Sequence, residues 1–182
     1  MGADNIQLGI GDLLLKIYAA GAYTSGFASP GWHSEKGMTF NAKSSDKKIK
    51  VGNKLGVVKT FFIDEEFDLE GAIQEMTALN VARALGLADA DVNDDIVNHI
   101  KSFYVGGNTA NNYFSAQYKS PWDTAGLYMQ LTLFKCLFAR DLKLELKPGD
   151  AVDVPIKLAV QVDDAAGATN GKSGLVEFKY QV

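Results

Sequence analysis

The sequence predicts a mainly β protein, an antiparallel β-sandwich or barrel with one flanking α-helix. Three observations carry that class. Several stretches alternate apolar and polar residues with period two, the mark of strands that bury one face. The 18 glycines in 182 residues exceed the usual ~7% and place turns between short elements. A single segment has a clear helical period, and no repeat or strand–helix alternation points to a βαβ fold.

The strongest alternation is Val152, Val154, Ile156, Leu158, Val160 and Val162, interleaved with Asp153, Pro155, Lys157 and Gln161. It predicts a long strand in which Pro155, lacking an N–H, marks an edge or a bulge. Before it, Leu142, Leu144 and Leu146 alternate with Lys143, Glu145 and Lys147, and Lys147-Pro148-Gly149-Asp150 has turn chemistry. The two predict an antiparallel hairpin. Residues 127–134 are apolar on both faces in places, which predicts a central strand. Further strands are expected over 8–18, 38–42, 48–51, 57–73, 102–106, 113–119 and 175–180, separated by Gly, Asn, Asp and Ser. The helix runs from an N-cap at Thr77 to Leu85, with Ala78, Leu79, Ala82 and Leu85 on one stripe and Gly86 as terminator. A weaker helical stretch is expected over 91–100.

The length fits one domain, residues 1–182, able to bury a core without a disulfide or metal staple. The formal net charge is −4 and only Arg83 and Arg140 are arginines. Bidentate forks that clamp phosphates or read bases are therefore nearly absent, and sequence-specific nucleic-acid binding is not expected. Cys136 is the one cysteine, so no internal disulfide or multi-cysteine zinc site can form. No apolar run approaches 18 residues and MGADNIQ lacks a signal-peptide pattern, so a soluble protein with no membrane partner is expected.

Motifs with catalytic or ligand chemistry fail on inspection. The segment 167–173, GATNGKS, is one residue short of a phosphate-binding P-loop and runs into a strand instead of a helix. It reads as a flexible hairpin loop. Asp89, Asp91, Asn93 and Asp95 have the 1, 3, 5, 7 offsets of a calcium loop, but the sixth position is Asp94, not Gly, and the twelfth is Ile100, not Glu. A solvated acidic loop is the favoured reading. His33 and His99 have no second ligand at metal spacing. Cys136 reads as a buried structural thiol. Trp32 and Trp122 could stack on a ligand, although aromatics near turns more often lock loops onto a core. No catalytic residues, metal or cofactor are expected.

The stretch 64–75 is the most informative. Phe67, Leu69, Gly71 and Ile73 alternate with Glu66, Asp68 and Glu70, which puts three carboxylates on one strand face, each about 6 to 7 Å from the next. As catalytic acids they would imitate a glycosidase, but that chemistry takes its acids from opposite sides of a cleft. The plain alternative is a solvated strand face.

The order of three groups of segments resembles the major tail or tail tube proteins of tailed bacteriophages. They are Lys36 to Lys43, then Ile49-Lys-Val-Gly52 with Gly56-Val-Val, then Phe67 to Gly86 as an acidic strand leading into an Asn-bearing helix that closes in Ala-Leu-Gly. Residues 134–140, 142–149 and 152–164 resemble that family's last hairpin before a terminal strand. The resemblance covers most of the chain from Gly31, while 89–122 matches nothing in it. It implies a structural, non-enzymatic virion protein that self-assembles into rings, commonly hexamers, stacked into a tube, with a tape-measure protein and other tail proteins as partners. It implies assembly in the host cytoplasm, residence in the virion tail, and DNA passing through the bore without specific binding. Glu66, Asp68 and Glu70 are then lumen-lining candidates, because carboxylates repel phosphates over a Debye length of roughly 8 Å. Lys43, Lys47, Lys48 and Lys50 are expected in an inter-strand loop that reaches acidic surface on a neighbouring ring. The alternative from another class is a monomeric β-sandwich that binds a carbohydrate or small ligand through Trp32, Trp122 and tyrosines.

Overall fold

A computed structural model describes residues 4–8, 11–34, 36–50, 57–106, 111–121, 128–144, 152–170 and 174–180. The protein is mainly β and antiparallel, with one main flanking helix, as expected. The strands are β1 (Asp4–Leu8), β2 (Asp12–Ile17), β3 (Met38–Lys50), β4 (Val57–Ile73), β5 (Asn93–Asp95), β6 (Ile100–Ser102), β7 (Tyr113–Pro121), β8 (Tyr128–Phe138), β9 (Val154–Val160) and β10 (Val176–Tyr180). The helices are α1 (Ala78–Ala84) and α2 (Asp164–Asn170). The main sheet runs β1-β3-β4-β9-β8-β7-β2, and β10 pairs with β8; β5 and β6 form a separate two-stranded sheet.

One strand folds this sheet into two layers. Along one edge of β8, Cys136 to Phe138 pair with β9, whereas Met129 to Leu133 pair with β10. The layers therefore part at β8 and close over a shared core of Leu13, Phe40, Leu69, Tyr118, Leu133 and Leu158, among others. Phe40 of β3 meets Phe178 of β10 edge-on at 5.3 Å, although the two strands are not sheet neighbours. The double apolar face of β8 is used as expected, since Gln130 through Phe134 are all buried. Its second face is covered by the loop after β2, where the Tyr23 ring lies 4.9 Å from Phe134. In β9, Val154, Ile156 and Leu158 are buried and Lys157 is exposed. Pro155 faces only β4, because β8 joins β9 no earlier than Leu158, so the missing N–H breaks no ladder.

The α1 boundaries follow the local signals. Thr77 Oγ1 accepts the Asn80 N–H at 3.2 Å, and Gly86, at φ +74°, ends the helix in the left-handed region that favours glycine. The buried face is Asn80, Val81, Ala82 and Ala84, rotated from the expected stripe. Asn80 causes this: its Nδ2 donates to the Pro30 carbonyl at 2.6 Å and the Glu75 carbonyl at 2.8 Å, pulling that side inward.

Six expectations are corrected. The strand expected over 8–18 is divided, with β1 ending at Leu8 and β2 starting at Asp12. Residues 38–42 and 48–51 are not two strands; β3 is continuous to Lys50. The expected helix over 91–100 is the β5–β6 hairpin, because Ile96, Val97 and Ile100 have no core to pack on and Asp95 folds the turn by accepting the Val97 and Asn98 N–H groups at 3.1 Å. The strand expected over 102–106 ends at Ser102. Leu142 and Leu144 are half-buried against the core but lie outside any strand, since β9 already pairs with β4 and β8. Leu146 and the 147–150 turn fall outside the described residues. The supposed loop over 167–173 is helix α2 up to Asn170, started by Asp163, whose Oδ1 accepts the Ala165 N–H at 3.0 Å.

Candidate functional site

Among the described residues β3 and β4 extend beyond the sandwich, and the acidic residues lie at the root of that extension. Up to Ala42 and from Phe67 onward, β3 and β4 pack into the body; beyond, from Lys43 to Lys50 and from Val57 to Glu66, they form a two-stranded arm whose described side chains are almost all exposed. At a rise of about 3.3 Å per residue the arm is roughly 25 Å long. Register shifts at Ser45/Asp46 and Ile49/Lys50 twist it.

Phe67, Leu69 and Ile73 turn toward the core, so Glu66, Asp68 and Glu70 share the opposite face, as the alternation predicts. Their environments differ. Glu66 is exposed opposite Lys43. Asp68 is 8% exposed, and Lys157 Nζ lies 3.1 Å from its Oδ2 and 2.5 Å from Glu70 Oε1. The hydrogen bond to Glu70 raises the Lys157 pKa against a smaller opposing effect of desolvation, with Asp68 adding to the rise. Asp68 Oδ1 is buried with no hydrogen-bond partner. Sequence reasoning missed Lys157 as a partner because its position beside Glu70 depends on β4–β9 register. It also missed Asp64, which extends the same face outward before the bulge at Ile63.

The four lysines expected in a loop stand on a strand. Lys43, Lys47, Lys48 and Lys50 pair with Glu66, Phe61, Thr60 and Val57 of β4; the connection over 51–56 lies outside the described residues. A lysine- and serine-rich segment can hold a strand here because both ribbon faces are wet and no side chain must be buried. The arm also exposes Ile49, Val57, Phe61 and Ile63, the last at 63%. Lys59 Nζ sits 4.5 Å over the Phe61 ring.

A cleft of about 680 Å³ borders the acidic root, lined by Lys36, Glu70, Asp141, Lys143, Asp153 and Lys157 among others. Both charge signs meet in it, and neither histidine nor cysteine lines it. The remaining motif residues are dispersed. Asp89 is held by Arg83 at 2.7 and 2.6 Å, Asp91 accepts the Ala88 N–H at 2.9 Å, and Asp95 serves its own turn. Among the described residues no three His, Cys, Asp or Glu side chains converge to hold a metal ion. His33 lies 6.2 Å from the Tyr118 ring, and His99 occupies a turn at φ +54°. Cys136 is fully buried, and burial pushes its thiol pKa up. Trp32 does not lock its loop onto the core; it is 81% exposed. Trp122 lies outside the described residues. Among the described residues no helix is long and apolar enough to cross a membrane.

These features define an antiparallel sandwich that carries an acidic sheet face and a long arm whose outer part is basic. No protein-family model matches the chain, and no curated protein matches it in sequence.

Proposed function

We propose that this protein is a non-enzymatic structural subunit that self-assembles into stacked rings, commonly hexameric, to form the tail tube of a tailed bacteriophage, a conduit for DNA. The observation that carries the reading is the arm. A lone two-stranded ribbon is marginal in water, and this one exposes Ile49, Val57, Phe61 and Ile63 beside lysines with no core of its own. Neighbouring subunits would supply the missing contacts, and joining sheets edge to edge would also cover the edge of β1 and the part of the β2 edge that the bridge from Leu15 to Ala28 leaves free. Asp64, Glu66, Asp68 and Glu70 would line the bore and repel phosphates, with Lys157 tempering the two nearest the body. A tape-measure protein and other tail proteins are the proposed partners.

Electron microscopy of the purified protein tests this. Rings or tubes with an open bore are expected, and a stable monomer at high concentration refutes the reading. The second reading, a monomeric carbohydrate- or small-ligand-binding module, is favoured by the Trp32 indole at 81% exposure. It predicts quenching of Trp32 fluorescence by glycans and loss of that signal in Trp32→Ala.

A further inference from the structure

The β5–β6 hairpin is an unpartnered surface of the same kind as the arm but of opposite charge. Ile96 and Val97 at its tip are 77% and 87% exposed, Ile100 is 55%, and Tyr104 and Val105 follow at 90% and 66%. Residues 89–102 hold four aspartates, of which Arg83 holds Asp89 at 2.7 and 2.6 Å and Lys101 pairs with Asp94 at 3.0 Å, so Asp91 and Asp95 carry the excess negative charge. Hydrogen bonds from Asn98, through its side chain and its N–H, hold the Asp95 carboxyl below the usual carboxylate range, so the tip carries a firm negative charge.

The arm offers the complement. By register, Lys47 lies opposite Phe61 and Ile49 opposite Lys59, so two apolar and two basic side chains share one ribbon face. Lys47, Ile49, Lys59 and Phe61 are all exposed, and so is the hairpin tip; within one chain the two surfaces do not cover each other.

We infer that the arm of one copy seats on the β5–β6 hairpin of a second copy, with Ile49 and Phe61 covering Ile96, Val97 and Ile100 while Lys47 and Lys59 approach the hairpin's aspartates. This rests on the self-assembly proposed above and names the surface that receives the arm. Both halves lie in one sequence, so the contact needs no other partner. It joins two different patches, and such head-to-tail contacts repeat from copy to copy into closed rings or open stacks. Apolar burial supplies attraction and the charges set orientation.

Two variants of the full chain, Lys47→Cys and Val97→Cys, test it, one bearing a size tag. Cys136 is buried and stays silent in mild oxidation. A tagged–untagged disulfide dimer is expected only when the two variants are mixed. Independently, Lys47→Glu with Lys59→Glu should weaken association about tenfold at low salt, with the effect fading as salt screens it. If rings or tubes form but mixing yields no dimer above the single-variant background, the docking inference falls and the assembly reading stands. A mixed dimer without rings or tubes supports the docking and removes the tube. A monomer with no mixed dimer overturns both.

Discussion

Replacing Asp163 with alanine should cost the fold about 3 kcal/mol. Asp163 is 2% exposed at the start of α2, and it accepts the Tyr18 hydroxyl at 3.0 Å, the Tyr23 hydroxyl on its other oxygen, and the Ala165 N–H at 3.0 Å. It thereby ties the loop after β2 to the helix before β10. A hydrogen bond to a charged group contributes about 1.5–3 kcal/mol, but Tyr18 and Tyr23 are half-buried and can recover water, so the sum of three is reduced to about half. Burial raises the Asp163 pKa, yet the hydrogen bonds from Tyr23, Tyr18 and the N–H groups of Ala165 and Ala166 together outweigh it and leave the carboxyl below its ordinary value. With the folded pKa depressed, this stabilisation is complete above the unfolded pKa of about 3.9 and is lost as pH falls through the folded value. The assay is urea unfolding followed by circular dichroism, at a concentration where sedimentation finds a monomer, at neutral and acid pH. The difference between wild type and Asp163→Ala should shrink in acid, and Asp163→Asn, which keeps one acceptor, should fall between them. A neutral-pH difference under about 1 kcal/mol, or one that grows in acid, refutes the argument.

Three further outcomes follow from the packing. Asn80→Ala should destabilise by about 2 kcal/mol in the same unfolding assay, because the Pro30 and Glu75 carbonyls lose a buried donor. Gly11→Ala should cost about 1–3 kcal/mol, since a Cβ there would strike the backbone of Lys119 and Ser120 in β7 and cannot be relieved by a side-chain rotation. On the alkaline side, burial raises both Tyr118 and Tyr18 to about 12, with Asp12 adding to the first and Asp163 to the second. Stability from these phenols is complete below the unfolded tyrosine pKa of about 10 and is lost as pH rises toward 12; phenolate absorbance from these two in a pH titration should rise together with unfolding.

What was legible in the sequence was local. Thr77 and Gly86 bracket α1 because a cap and a terminator act within one turn, and β4 was legible over its full span because its inner half alternates and its outer half is rich in Val, Thr, Phe and Ile, although the bulge at Ile63 was not. Three features required partners that no local pattern encodes. The β3 strand continues through Lys43 to Lys50 only because β4 lies beside it. The spacing of Val92, Ile96 and Ile100 suits a helix, yet with no surface to bury against, the Asp95 turn decides the outcome and a hairpin forms. The acidic row was visible as a row, but its charge was not, because Lys157 joins Asp68 and Glu70 from a strand almost ninety positions away, a separation of 87 for Glu70.

That last point changes how the arm's electrostatics work. At the root, one lysine answers Asp68 and Glu70 and Lys43 stands opposite Glu66, so the acid without a facing lysine lies further out, at Asp64 and Glu65. Beyond them Lys47, Lys48, Lys50 and Lys59 outnumber Asp46, so the sign reverses along a single ribbon. Along the ribbon Lys47 stands two residues, about 7 Å, from the pair that holds Asp64, close to the physiological Debye length of about 8 Å, whereas Lys50 and Glu66 are separated by seven residues, roughly 23 Å, so only the far ends act on their surroundings independently. Two parallel arms in register set like charges side by side and repel, whereas a basic tip placed against another copy's acidic surface is attracted. Assembly driven by such arms should therefore weaken with salt, while in the proposed tube the repulsion of phosphates by Asp64 and Glu66 would depend on the bore and not on the tip. Charge reversal at Lys47 and Lys59 separates the two: it should weaken stacking about tenfold at low salt and leave the acidic face unchanged.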